Sequence, residues 1–146
     1  ALASYRREED KSILLDALSH YDNENEDVDR EDDETNNALL AVTVWTCQDF
    51  IPLLMRIRDY EIKKHDSSMP PRSKYLFEAV MAYDNQWAYN FIDATLALSS
   101  KKKGREYDSY ITMATSFHSA MLSHYNPRFV RLLGKYPGED FGDGYE

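Results

Sequence analysis

Lys101, Lys102, Lys103 and Arg105 place four cations within five residues, and Tyr107 and Tyr110 follow directly. Arg128, Arg131 and Lys135 recur at steps of three and four, which puts them on one side of a helix. Cations interleaved with aromatic rings suit a phosphate backbone whose bases stack beside it. The chemistry on offer is electrostatic binding of a polyanion. The same residues also fit a solvated helix end beside core tyrosines.

The other reactive side chains form no catalytic set. His20, His65, His118 and His124 contain no pair three or four residues apart, so no two of them share a helical face. His118 reads as a hydrogen-bonded histidine at the core edge. Asp49 and Asp84 are expected as helix caps, and Glu78 and Asp93 on water-facing sides. Without a buried carboxylate pair, acid–base catalysis has no carrier. No glycine-rich phosphate loop and no nucleophile elbow is present. Asp22, Glu24 and Glu26 alternate as calcium ligands do, but Asp27 stands where the turn needs glycine and Asp29 where an apolar residue belongs. No catalytic residue, metal or cofactor is therefore expected, and the chain is not read as an enzyme.

The net charge of −9 is unevenly placed. Residues 22–34 hold nine acids and one arginine, and 139–146 hold four more acids, leaving +3 for the rest. Such runs bury too little apolar surface to order themselves. Residues 22–34 are expected as a mobile acidic loop inside a single helical domain, 1–138, and 139–146 as a flexible tail. Both are expected to screen the basic face at short range.

The elements that must carry these residues are helices. Leu76, Val80, Tyr83, Trp87, Phe91, Ala94 and Leu98 form one stripe; Phe77, Met81, Ala88, Ile92 and Leu96 form a second. Two stripes make a face wider than one partner covers, so 73–99 is expected as the central helix, with a break possible near Asp84. Trp87 reads as a buried anchor. Ser4 is expected to cap a first helix over 4–21, with Ile13, Leu14, Ala17, Leu18 and Tyr21 inward and Lys11 in water. Asn36 or Asn37 should start a buried helix to about Cys47. Pro52 forces a restart or a kink before a helix to about 64. A helix over 106–124, with Leu122 on its inward face, and a short one from Pro127 to Gly134 complete the set. No stretch alternates as a strand. The prediction is an all-α, multilayer bundle of five to seven helices.

One cysteine, Cys47, cannot form an internal disulfide and favours a reducing, intracellular setting. No apolar run is long enough to span a membrane. The start at Ala1 and the acidic end suggest a domain from a longer protein. Two functions of different class remain: a non-catalytic interaction domain that binds protein partners or itself, and a nucleoprotein-type RNA-binding domain using Lys101–Arg105 and the 128–135 helix.

Overall fold

The computed structural model describes residues 8–22, 34–63, 72–100 and 107–137. These residues form seven α-helices and no strand. The helices are α1 (Glu8–Ser19), α2 (Glu34–Val42), α3 (Ile51–Lys63), α4 (Ser73–Met81), α5 (Gln86–Ser100), α6 (Tyr107–Ser123) and α7 (Val130–Lys135). Short 3-10 turns, Gln48–Phe50 and Pro127–Phe129, lead into α3 and α7. The expected all-α, multilayer bundle is what is found.

The centre is α4. It packs against α2, α3, α5 and α6, while α1 closes over α2 and α3. Seven of its nine residues are buried, including Leu76, Phe77, Ala79 and Val80. Phe77 meets Phe117 of α6 edge to face, with centroids 5.9 Å apart. So small a buried helix cannot carry the bundle by propensity; packing around it supplies the stability.

The predicted break in 73–99 is real, and its chemistry differs in one detail. Asp84 takes a left-handed backbone with φ 50°. Asp tolerates that region better than most residues because its short polar side chain can bond locally. The cap of α5 is then Asn85, whose Oδ1 accepts from the Ala88 amide at 2.9 Å. The buried positions keep their helical spacing across the break. The second stripe stays buried through Phe77, Met81, Ala88, Ile92 and Leu96. The first stripe turns outward after Phe91: Ala94 is exposed, Leu98 is 46% exposed, and Trp87 is only half-buried. Buried Thr95 and Ser99 fill the gap by donating to the carbonyls of Phe91 and Thr95, four residues back.

Other boundaries move for physical reasons. Described α1 starts at Glu8, so a cap at Ser4 lies outside the described residues, and Ile13 faces solvent. Lys11 is not in open water: its Nζ lies 3.0 Å from Glu8 and 2.8 Å from Asp49. Asp49 is thus an ion-pair partner rather than a cap. The turn at Gln48–Phe50 follows Cys47, whose extended backbone has no capping side chain. Pro52 is the second residue of α3, where a missing amide costs little. Asn36 sits buried inside α2, which begins at Glu34, two residues before the expected cap. The helix is not buried all round, since Leu40 is 43% exposed. The cap expected at Asn126 before Pro127 is present: Asn126 Oδ1 accepts from the Arg128 amide. The final helix runs one residue past Gly134, to Lys135. Most of 22–34 and all of 139–146, where a mobile loop and tail were expected, lie outside the described residues.

The burial pattern sets an order of costs. Phe77→Ala should lower stability by about 3–5 kcal/mol, the usual loss for a truncated core aromatic. Leu98→Ala, on the outward part of its stripe, should cost about 0.5 kcal/mol or less. Urea unfolding midpoints check this; equal shifts for the two variants would contradict the assigned core.

Candidate functional site

The corner between α6 and α7 holds the described part of the basic face. Asn126, Pro127 and Arg128 turn the chain, and buried Phe129 and Leu132 fix α7 against the bundle. Tyr89 of α5 stacks on Phe129 at 6.3 Å between centroids. The cations predicted to meet a polyanion are therefore presented from a firmly packed element.

Two of those three cations already have carboxylates. Arg128 Nε donates to Asp84 Oδ1 at 3.0 Å, and Asn126 Nδ2 donates to the same oxygen at 2.9 Å. Lys135 Nζ donates to Asp93 Oδ1 at 3.0 Å. Tyr136 Oη donates to that oxygen at 2.6 Å, and the Lys135 ammonium lies 5.4 Å from the Tyr136 ring centroid. The backbone carbonyl of Tyr136 accepts from His118 Nε2 at 3.0 Å, which matches the reading of His118 as a bonded core-edge histidine. Arg131 is exposed and has no ion pair among the described residues. Lys101, Lys102, Lys103 and Arg105 lie outside the described residues. Tyr107 opens α6, and its side chain lies outside the described part.

These contacts shift the acids. The Asn126 amide, then Arg128, holds the Asp84 carboxyl below its ordinary range. The Tyr136 hydroxyl, then Lys135, does the same for Asp93 against some desolvation. Asp93 in turn raises Lys135, and burial is the main cause that raises the Tyr136 phenol. Asp93, Lys135 and Tyr136 are thus tuned toward one another.

Two carboxylates are buried, and one of them corrects the placement expected from the sequence. Glu78 was expected in water but is buried; its Oε1 lies 3.3 Å from Lys74 Nζ and 3.6 Å from His124 Nδ1. Glu61 is also buried and accepts from the Arg72 amide at 3.0 Å. The signal for Glu78 was weak: it is flanked by Phe77 and Ala79 in a helix whose apolar face wraps nearly all round. Both acids are held by cations or amides across helices, so they read as packing elements. Half-buried Cys47 receives the Tyr83 hydroxyl on its backbone carbonyl, and burial raises that phenol. Ser73 donates to Ser116 at 2.7 Å, a buried pair that joins α4 to α6.

The same corner displays apolar surface. Leu122 is 88% exposed and Tyr125 70%, against the expectation that Leu122 faces inward. The inward face of α6 is Met113, Ala114, Phe117, Ala120 and Met121, and Leu122 falls to one side of it. Its step of one from Met121 carried that signal. Among the described residues, no helix is long and apolar enough to cross a membrane. Compared with protein families, curated proteins and solved structures, the chain matches none of them.

Acid should loosen this corner. A carboxyl held low stabilises the fold above the ordinary unfolded value of about 3.9, and that contribution is lost as pH falls through the folded value. Thermal melts between about pH 5 and pH 2 should therefore fall more steeply for the wild type than for Asp93→Asn. Parallel slopes would show that the Asp93 contacts contribute nothing.

Proposed function

We propose that the chain is a non-catalytic helical interaction domain, which binds a protein partner or a second copy of itself through the α6–α7 corner. The observation that carries this is Leu122 and Tyr125, three residues apart and both strongly exposed, on a corner fixed by Asp84, Asn126 and buried Phe129. An isolated exposed leucine is ordinary. A large aliphatic at the end of α6 and a tyrosine on the following turn, with polar His124, Asn126 and Arg128 beside them in sequence, have the composition of an interface centre with a polar rim. Rigid display also lowers the ordering cost of association.

The reading as an RNA-binding domain of nucleoprotein type is the second one. Exposed Arg131 favours it, together with the Lys101–Arg105 run in the sequence. Against it stand the carboxylates on Arg128 and Lys135, because a phosphate would have to displace Asp84 and Asp93 from hydrogen bonds of about 3 Å. The same contacts bear on the screening idea: among the described residues, the acids bonded to these cations are Asp84 and Asp93. The intracellular placement remains part of this proposal and rests on the lone, unpaired Cys47.

Sedimentation velocity across a concentration series tests self-association, and pull-down against candidate partners tests the other branch. Leu122→Ser with Tyr125→Ser should weaken association at least about tenfold, roughly 1.4 kcal/mol, while the melting midpoint stays nearly unchanged. Association that survives the double substitution would place the interface elsewhere.

A further inference from the structure

We propose that His20 is a proton-operated clasp between the end of α1 and the start of α2, closed when both ring nitrogens carry a proton. His20 follows the last residue of α1, and Glu34 is the first residue of α2. His20 Nδ1 lies 3.0 Å from Glu34 Oε2, and Nε2 lies 3.9 Å from Asp16 Oδ1. Nδ1 is thus in hydrogen-bond contact with Glu34, and Nε2 is in ion-pair range of Asp16 but beyond hydrogen-bond distance. A neutral imidazole has one N–H and one lone pair, so one side would turn a lone pair toward an anion. The imidazolium is attracted by both carboxylates, whereas the neutral ring keeps at most the one hydrogen bond to Glu34.

The charged surroundings come from three places. Asp16 lies one turn earlier on α1, Asp22 on the turn that follows it, and Glu34 on α2. The cation tied to that turn is Arg72, which is buried and directs its Nη1 to the Tyr21 carbonyl. The hydrogen bond to Glu34 is the largest influence raising the His20 pKa, with Asp16 and Asp22 adding and desolvation opposing. A group raised on folding stabilises the fold fully below its unfolded value of about 6.5, and that help is lost as pH climbs through the folded value. The clasp is therefore shut at mildly acidic pH and released on the alkaline side. Thr35 Oγ1 donates to the Ala17 carbonyl at 3.4 Å across the same junction and does not titrate, so release loosens the join without dissolving it.

A divalent metal offers a competing account. Ligand atoms of Asp16, His20 and Glu34 all lie within 4.8 Å of one another. Metal binding needs a deprotonated nitrogen and would drive the titration the other way. The test is a proton NMR titration of the His20 ring in the full chain after treatment with chelator. The midpoint should lie above about 6.5 and move back toward that value in Glu34→Gln. The wild type's advantage in urea midpoint over His20→Gln should shrink between about pH 5.5 and pH 8.5. A midpoint at or below the ordinary value, no response to Glu34→Gln, or an advantage equal at both pH values overturns the clasp. So does restoration of the alkaline-side advantage by stoichiometric zinc, which would make the closed form a metal complex.

Discussion

Asp84 is the constraint on which both the fold and its candidate surface depend. Its backbone leaves the helical region, so a pattern that could run on as one long helix becomes α4 and α5. Its side chain then reaches the turn between α6 and α7, accepting from Asn126 and Arg128. One residue thereby breaks the central element and pins the corner that displays Leu122 and Tyr125. Asparagine could take the same backbone. It would lose the charge that holds Arg128.

The electrostatics of the described residues are largely local. Lys11 joins α1 to Asp49, Lys135 joins α7 to Asp93, and Lys74 and His124 border buried Glu78. The exposed pairs among them contribute little to stability individually, but they fix which element lies beside which. They also remove cations from the pool available to a nucleic acid. A net charge summed over the body does not see this, because it counts Arg128 and Lys135 as free when each already has an acid within 3.0 Å. The balance of functional readings accordingly moves toward apolar contact with a protein.

Much of the architecture was legible in the sequence, because helical periodicity and Pro–Asn punctuation are local signals. The break near Asp84, the restart before Pro52 and the Asn126 cap all depend on residues within a few positions of one another. What was not legible depends on neighbours distant in sequence. Glu78 looked water-facing because its partners include His124, and Asp49 looked like a cap because its partner is Lys11. The stripe through Ala94 and Leu98 was extended past Phe91, where the buried positions of α5 are Ile92, Thr95, Leu96 and Ser99. For the candidate surface, the sequence identified the cations Arg128, Arg131 and Lys135 but not their acids, Asp84 and Asp93, which lie more than forty residues away.

The central claim is that Arg128 and Lys135 serve the fold rather than a polyanion. It is tested most directly by titrating single-stranded RNA into the wild type and into the Arg128→Ala, Lys135→Ala variant at about 50 mM salt, with melting midpoints taken on the same samples. The account predicts unchanged RNA affinity, or none in either protein, and a midpoint lowered by about 2–6 °C. An RNA affinity that falls tenfold or more while the midpoint holds would contradict it, and would return the α7 face to the nucleic-acid reading.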